Sequence, residues 1–253
     1  AADVFEIASP YTESQLYEVG FTQSADVMYL VHEDVSPRKL SRTGHTSWTL
    51  QEVDFKRGPY LDQNTTSTTM TPSGTSGSVT ITASSNTFVS TDVGRLIKFS
   101  GGHAKITNFS SATQVTATTT DNFSGTGGTT DWSLGTFTST KGFPRAVSFF
   151  EQRLVFAGTT SFPQTIFASE SGLYEEFDVG SGNAADAFIY TIAANRVNVI
   201  RWLAPARDLI VGTVGGEFKV GRPTGEPLKP DNVQITQQTT YGGYTTQPIQ
   251  IGN

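Results

Sequence analysis

The residues able to do chemistry are few in this chain and widely spaced. His32, His45 and His103 stand far apart, without the HxxxH or HExxH spacing that turns imidazoles toward one metal ion. Each reads as a surface or hydrogen-bonded histidine, and His45 lies in the polar turn Arg42-Thr43-Gly44-His45-Thr46. Cysteine is absent, which excludes disulfides, thiolate metal sites and cysteine nucleophiles. No GxSxG elbow occurs, and Gly77-Ser78 and Gly180-Ser181-Gly182 read as loops. The run Gly125-Thr126-Gly127-Gly128 lacks the Lys and Ser/Thr of a phosphate loop. Glycoside hydrolysis needs two carboxylates roughly 5–9 Å apart. Glu175 and Glu176 are adjacent, so in a strand they face opposite sides and cannot flank one bond. No catalytic, cofactor-binding or metal-binding residue is expected, and the chain does not read as an enzyme.

Binding chemistry is no plainer. Trp48, Trp132, Trp202 and the pair Phe149-Phe150 could stack on sugars or bases, but each lies in or beside an apolar strand, where core packing is the commoner fate. Asn64-Thr65-Thr66, Asn108-Phe109-Ser110 and Asn122-Phe123-Ser124 match the glycosylation acceptor pattern by chance of a Thr/Ser/Asn-rich composition. Ser90-Thr91-Asp92-Val93-Gly94 matches the start of the SxDxGxxW turn box of sialidase propellers, with Ile97 in the Trp place. Such boxes staple turns and do no catalysis.

The elements that would position these residues are strands. At 253 residues the chain has room for one or two domains. Only 16% of residues are charged, and the polar mass is Thr, Ser, Gly, Asn and Gln. Thr suits the half-buried pleat of a strand, while Gly, Ser and Asn supply turns. No stretch sustains an apolar period of 3.6 residues. The net charge of −6 argues against a general nucleic-acid-binding face. Ala1 to Ser9 shows no signal-peptide pattern, and no apolar run approaches the ~20 residues that span a bilayer, so the expectation is a soluble protein.

Three textures follow one another. Residues 1–61 hold strand-like runs of aromatics and aliphatics, such as Val27-Met28-Tyr29-Leu30-Val31. Residues 62–140 are rich in Thr, Ser and Gly, with short alternating runs such as Val79-Thr80-Ile81-Thr82, Leu96-Ile97-Lys98-Phe99 and Gln114-Val115-Thr116-Ala117. Residues 141–253 return to the first texture. The reading is one domain, 1–61 and 141–253, interrupted by an inserted small β-domain, 62–140. Such insertions burden a host fold little at a surface loop.

The outer stretches also repeat. Shifted by about 126 residues, Asp26–His32 falls on Gln152–Gly158, Pro37 on Pro163, Leu40 on Ile166 and Trp48 on Tyr174. A third copy of the opening strand, Arg207–Thr213, turns at Gly215-Gly216 into Glu217–Val220. Units that cannot bury their own faces must stack, as propeller blades do. Two to three such units are visible, fewer than a closed ring needs. The chain also stops at Gln250-Ile251-Gly252-Asn253 after a strand-like stretch, so it reads as a piece of a longer protein.

Several runs carry a family likeness. Pro10-Tyr11, Leu16, Gln23–Tyr29, His32, Pro37, Leu40, Arg42, Trp48, Phe55 and Gly58-Pro59-Tyr60 resemble the opening of phage tail nozzle proteins, the tail tubular protein B family. The likeness resumes in Gly142–Val147, Phe149–Leu154, Ala157-Gly158-Thr159 and Pro163-Gln164-Thr165. It ends in Asn198, Ile200, Trp202, Leu203, Gly212-Thr213 and Gly215–Phe218. Within the insert, Val79–Ala83 and Asp92–Ile97 resemble the small β-barrel called FCCH-like.

The resemblance implies an all-β chain: a partial β-propeller-like platform in 1–61 and 141–253, interrupted by a small β-barrel in 62–140. It implies a non-enzymatic structural subunit of a virion tail, assembled in the host cytoplasm. The subunit would join copies of itself in a ring, hexameric in the full-length protein, together with a tail adaptor and tail fibres. Genomic DNA would pass through without specific binding, and no membrane insertion is implied for this stretch. Glu151, Glu170, Glu175, Glu176 and Asp178 are then candidates for lumen or solvent faces. The runner-up is a carbohydrate- or receptor-binding, adhesin-like β-module, and a glycosidase ranks last.

Overall fold

The computed structural model describes residues 5–180, 182–193 and 197–249. Ala1–Val4, Ser181 and Gln250–Asn253, on which some of the readings above fall, lie outside them. The described chain is all-β: strands joined by turns, with two short 3-10 turns, Glu13–Glu18 and Ser90–Asp92. It divides into two compact units. Unit 1 comprises 1–54, 141–175 and 179–253; unit 2 comprises 55–140 and 176–178.

Unit 1 contains three four-stranded antiparallel meanders, each with its strands in chain order. The first is β1 (Gly20–Ser24), β2 (Val27–His32), β3 (Val35–Gly44) and β4 (Ser47–Glu52). Unit 2 holds a six-stranded half-barrel of β5 (Met70–Pro72), β6 (Ser78–Ala83), β7 (Leu96–Phe99), β8 (Gly102–Ser111), β9 (Gln114–Asp121) and β10 (Trp132–Leu134). The second meander is β11 (Ala146–Phe150), β12 (Arg153–Ala157), β13 (Thr165–Ala168) and β14 (Phe188–Thr191). The third is β15 (Ile200–Pro205), β16 (Leu209–Thr213), β17 (Gly216–Gly221) and β18 (Gln234–Thr239).

Pleat alternation explains how the meanders stack. In β2 only Tyr29, Val31 and His32 are buried, whereas every residue of β12 is. The second meander therefore has both faces covered. One face carries Phe150, Val155, Ala157, Ile166 and Phe188 into a core shared with Leu203, Leu209, Val211, Phe218 and Val220 of the third meander. On the other face Phe149 meets Tyr29 of the first meander edge-to-face, at 5.9 Å between ring centroids. The first strands β1, β11 and β15 lie side by side.

The repeat holds for the opening strands and fails beyond the first turn. β2 and β12 are both second strands of their meanders, and β16 is the third equivalent. Past the turn the fixed offset misassigns partners. Met28 pairs with Leu40, but its counterpart Leu154 pairs through the backbone with Ser169, not with Ile166. A two-residue turn joins β2 to β3, whereas the longer segment 158–164 joins β12 to β13, so the register slips. Trp48 stands on β4, but Tyr174 lies outside any strand and packs edge-to-face on Phe149 at 5.0 Å. The strand equivalent to β4 begins only at Phe188, after a long connection.

The half-barrel runs in the order β10-β7-β8-β9-β6-β5 around a core that includes Met70, Ile81, Ile97, Phe99, Ile106 and Val115. Reciprocal backbone hydrogen bonds between Met70 and Thr129, 2.8 and 3.0 Å, tie its β5 end to the chain entering β10. The textural boundary at residue 61 lies some residues late, because Phe55–Leu61 already belongs to this unit. Leu61 N–H donates to the Leu134 carbonyl and Thr136 N–H to that of Pro59, each at 2.8 Å. Residues 176–178 join it through the Phe177 N–H to the Arg57 carbonyl, 2.6 Å, and the contact of Phe177 with Phe55. An aromatic, charged texture matches unit 1, but backbone pairing decides membership.

Two devices of the second meander are testable. Arg153 is 2% exposed, and among the described residues no carboxylate lies within ion-pair distance of its guanidinium, though Asp186, Glu170 and Glu151 act on it from farther off. The guanidinium instead donates to the carbonyls of Ser169, Ala184, Ala185 and Asp186 at 2.6–3.0 Å, gathering the connection into β14, and lies over the Phe188 ring. Arg153→Met should leave those buried acceptors unpaired and lower unfolding stability by at least about 3 kcal/mol, read by urea titration. The β11–β12 hairpin turns on Glu151 and Gln152, both with positive φ (48° and 58°), where Asn-Gly is the usual solution. Gln152→Gly should remove left-handed strain and raise stability by about 0.5–1 kcal/mol, read as a higher thermal midpoint.

Candidate functional site

The adjacent first strands create a cleft of about 600 Å³ in unit 1. Its walls come from the 3-10 turn and β1 (Leu16 to Phe21), from His32 and Glu33, from Arg145 to Val147, from Arg201 to Leu203, and from Tyr244 to Gln247. Close approach of β1 to β11 needs a glycine: a Cβ on Gly20 would stand 3.0 Å from the Arg145 carbonyl and 3.1 Å from Val31 Cγ2. Gly212 likewise leaves room for Trp202, since a Cβ there would lie inside the indole ring.

The charged groups of the cleft are held apart instead of converging on one point. Arg145 is ion-paired with Glu33, and its Nε donates to the Gly158 carbonyl at 3.3 Å. Burial pushes the Arg145 pKa down, Glu33 opposes that, and the neighbouring Arg201 adds to it. His32 is buried; its Nδ1 accepts the Asp34 N–H at 3.1 Å, which leaves the proton of the neutral ring on Nε2. That Nε2 is sealed from solvent and stands 3.6 Å from the Glu18 carboxylate. Around these groups Leu16, Tyr17, Phe21 and Tyr244 are exposed, Tyr17 at 93% and Tyr244 at 81%. The cleft offers apolar and aromatic contacts with fixed charges, the makings of a binding surface.

The half-barrel carries a second cluster. The Tyr60 hydroxyl and His103 Nδ1 share a hydrogen bond of 2.7 Å, and the two rings stack. His103 Nε2 is 3.7 Å from Asp178, too long for a hydrogen bond, while Lys98 holds both oxygens of that carboxylate at 2.8 Å. Arg57 donates to Asp121 at 2.6 Å and lies 3.7 Å from Glu176. Burial raises the Tyr60 pKa, which keeps the phenol protonated. Burial also depresses that of His103, ahead of the opposing pull of Asp178, so the imidazole is neutral near pH 7. The protonated phenol and the neutral imidazole hold each other, while Lys98, Arg57 and the Arg57 carbonyl fasten residues 176–178 to their unit.

The remaining sequence candidates fall into structural places. His45 is exposed beside Arg42. Asp92 staples its turn, accepting from Val89 N–H at 2.9 Å and from Arg95 at 2.8 Å. Asn64 ties its loop to the carbonyls of Thr66, Thr68 and Thr130. Of the acids considered for a lumen, Glu151 pairs with Arg222, Glu175 with Lys39, Glu176 with Arg57 and Asp178 with Lys98. These four are partnered by cations, and Glu170 is half-buried. Trp48 and Trp202 are half-buried, and Phe150 alone of the flagged aromatics lies fully in a core. Among the described residues, no group of three or more His, Asp or Glu side chains is placed to hold a metal ion.

Sequence reasoning passed over Arg153, Arg145 and Arg201. Arg153 had a signal, a lone cation inside the apolar run Arg153-Leu154-Val155-Phe156-Ala157; Arg145 and Arg201 had none, because only the meeting of β11 and β15 brings them together. No protein-family model matches the chain, and no curated protein does.

The His103 environment carries a pH dependence with a definite sign. Its folded pKa lies below the ordinary 6.5, so its contribution is complete above that value. As pH falls below 6.5 toward the folded value, the unfolded chain takes up the proton first and stability is lost. The thermal midpoint should fall as pH is lowered from about 7 to 5. His103→Gln should flatten that slope while wild-type and variant midpoints differ least near pH 5.

Proposed function

We propose that this chain is a non-enzymatic structural component of a bacteriophage tail, a nozzle or tail-tube subunit contributing to the DNA-ejection conduit and the fibre platform. The observation that carries the reading is the side-by-side packing of β1, β11 and β15, each the first strand of a four-stranded meander. Propeller blades pack in this way, around an axis lined by their first strands. In this reading the three meanders are blades of a partial propeller, and the half-barrel between the first and second in the chain is the inserted small barrel. The fixed ion pairs Arg145–Glu33 at the cleft and Lys98–Asp178 in the half-barrel suit a mechanical role.

In this reading copies of the chain form a ring beside an adaptor and fibres, and DNA slides past without being gripped. Each phosphate contact would add salt-dependent affinity and drag, and a chain of net charge −6 makes few. In fluorescence anisotropy at about 150 mM salt, duplex DNA should bind more weakly than micromolar. Tighter binding would point to a DNA-gripping role instead. The positive arm is location: antibodies against the chain should label the tails of phage particles whose genome encodes it, in electron microscopy. Unlabelled tails, with retention of the chain on a glycan array, would replace the proposal with a carbohydrate-binding module.

A further inference from the structure

We propose that the outer edge of β1, with the cleft beside it, is a docking site for an extended acidic polypeptide segment, and that Tyr244–Gln247 of this chain holds its place. The inference needs only the cleft and stands apart from the tail reading.

Strand β1 pairs on one side with β2 and has no strand partner on the other among the described residues. An unpaired edge presents backbone donors and acceptors that a second extended chain can satisfy. One such acceptor is already in use: the Phe21 carbonyl takes a hydrogen bond from Gln247 Nε2 at 3.1 Å. Phe21 therefore points outward, and by the two-residue period of a strand Gln23 offers its backbone groups on the same side. A side-chain amide is a one-bond substitute for a pairing strand.

The segment supplying Gln247 is lightly held. Gly243 N–H donates to the Thr213 carbonyl at 2.7 Å, and Gly243 lies over Trp202, where a Cβ would come within 2.7 Å of the indole nitrogen. Beyond these contacts Tyr244 is 81% and Ile249 86% exposed, so little apolar surface fastens the segment to its seat. A segment with a full backbone ladder along β1 would gain contacts that this one lacks.

Charge selects the kind of segment. Arg145 is matched by Glu33 and the exposed Glu18 stands 3.6 Å from His32 Nε2, but Arg201, half-buried in the same wall, has no ion-pair partner among the described residues. A carboxylate on the incoming segment would complete it. The exposed Tyr17 and Phe21 flank the path and suit apolar side chains on alternate positions.

The test uses the whole chain and two short fluorescein-labelled peptides, one alternating Val and Asp, the other Val and Lys, read by anisotropy. The Val–Asp peptide should bind saturably and the Val–Lys peptide at least tenfold more weakly. Arg201→Gln should weaken Val–Asp binding about tenfold, the loss of one charge-assisted contact. Gly243→Val should lift the resident segment off Trp202 and tighten binding several-fold, since a site freed of its occupant is competent more of the time. Gln247→Ala, which adds no bulk, should act in the same direction and guards against misfolding of the valine variant. No binding of the Val–Asp peptide, equal binding of both peptides, or Arg201→Gln without effect would overturn the proposal. So would perturbation of Trp202 fluorescence by the neutral sugar maltohexaose alone, which would assign the cleft to carbohydrate.

Discussion

A four-stranded meander has two faces, and the arrangement of unit 1 depends on covering the apolar ones. The second meander meets this constraint in full. Leu154, Phe156 and Phe167 are buried on one face while Val155, Ile166 and Phe188 are buried on the other. Burying a side chain of this size is worth about 1.5–3 kcal/mol, so the sheet gains most when neighbours lie on both sides. The first and third meanders supply those neighbours, and their own outward faces are correspondingly more polar or half-exposed. Side-by-side first strands, the cleft along them, and the glycines that allow close approach all follow from that stacking.

Polar groups in such a stack must be satisfied locally. Arg153 shows how: a buried cation spreads its charge over four carbonyls of the connection that leads to β14. Burial depresses its pKa, yet a guanidinium remains charged because its ordinary value is so high. The same logic operates in the half-barrel, where Arg95 meets Asp92 and the Gly135 carbonyl, and where Tyr60 and His103 satisfy each other. In the first two cases the effect is to hold a connection or a turn in place.

Strand positions were legible because they rest on short-range pattern. The alternation in Ser78–Ala83 appears as alternating burial, and the continuous apolar run of Arg153–Ala157 appears as a strand buried throughout. The hairpin equivalence of Asp26–His32, Gln152–Gly158 and Arg207–Thr213 was legible for the same reason. Loop length broke the comparison beyond that point. A connection of seven residues in place of two moved the partner of Leu154 to Ser169, and Tyr174 off the strand where Trp48 stands. Register is a property of a pair of strands and the loop between them, and a single offset along one chain cannot carry it.

Composition and alternation by themselves determined that this chain is built of strands, that its middle stretch differs from its flanks, and that its histidines and acids lack the spacing of known catalytic motifs. Tertiary structure alone decided where Phe55–Leu61 and Glu176–Asp178 belong, since backbone pairing and the Phe55–Phe177 contact outweigh local texture. It also decided that Arg145, Arg201, His32 and Tyr244 share one cleft, although the chain separates them by long stretches. The physical reason is range. Side-chain alternation and turn chemistry act over a few residues and are written in neighbouring positions, whereas a site assembled from the edges of three sheets exists only once their apolar faces have closed on one another.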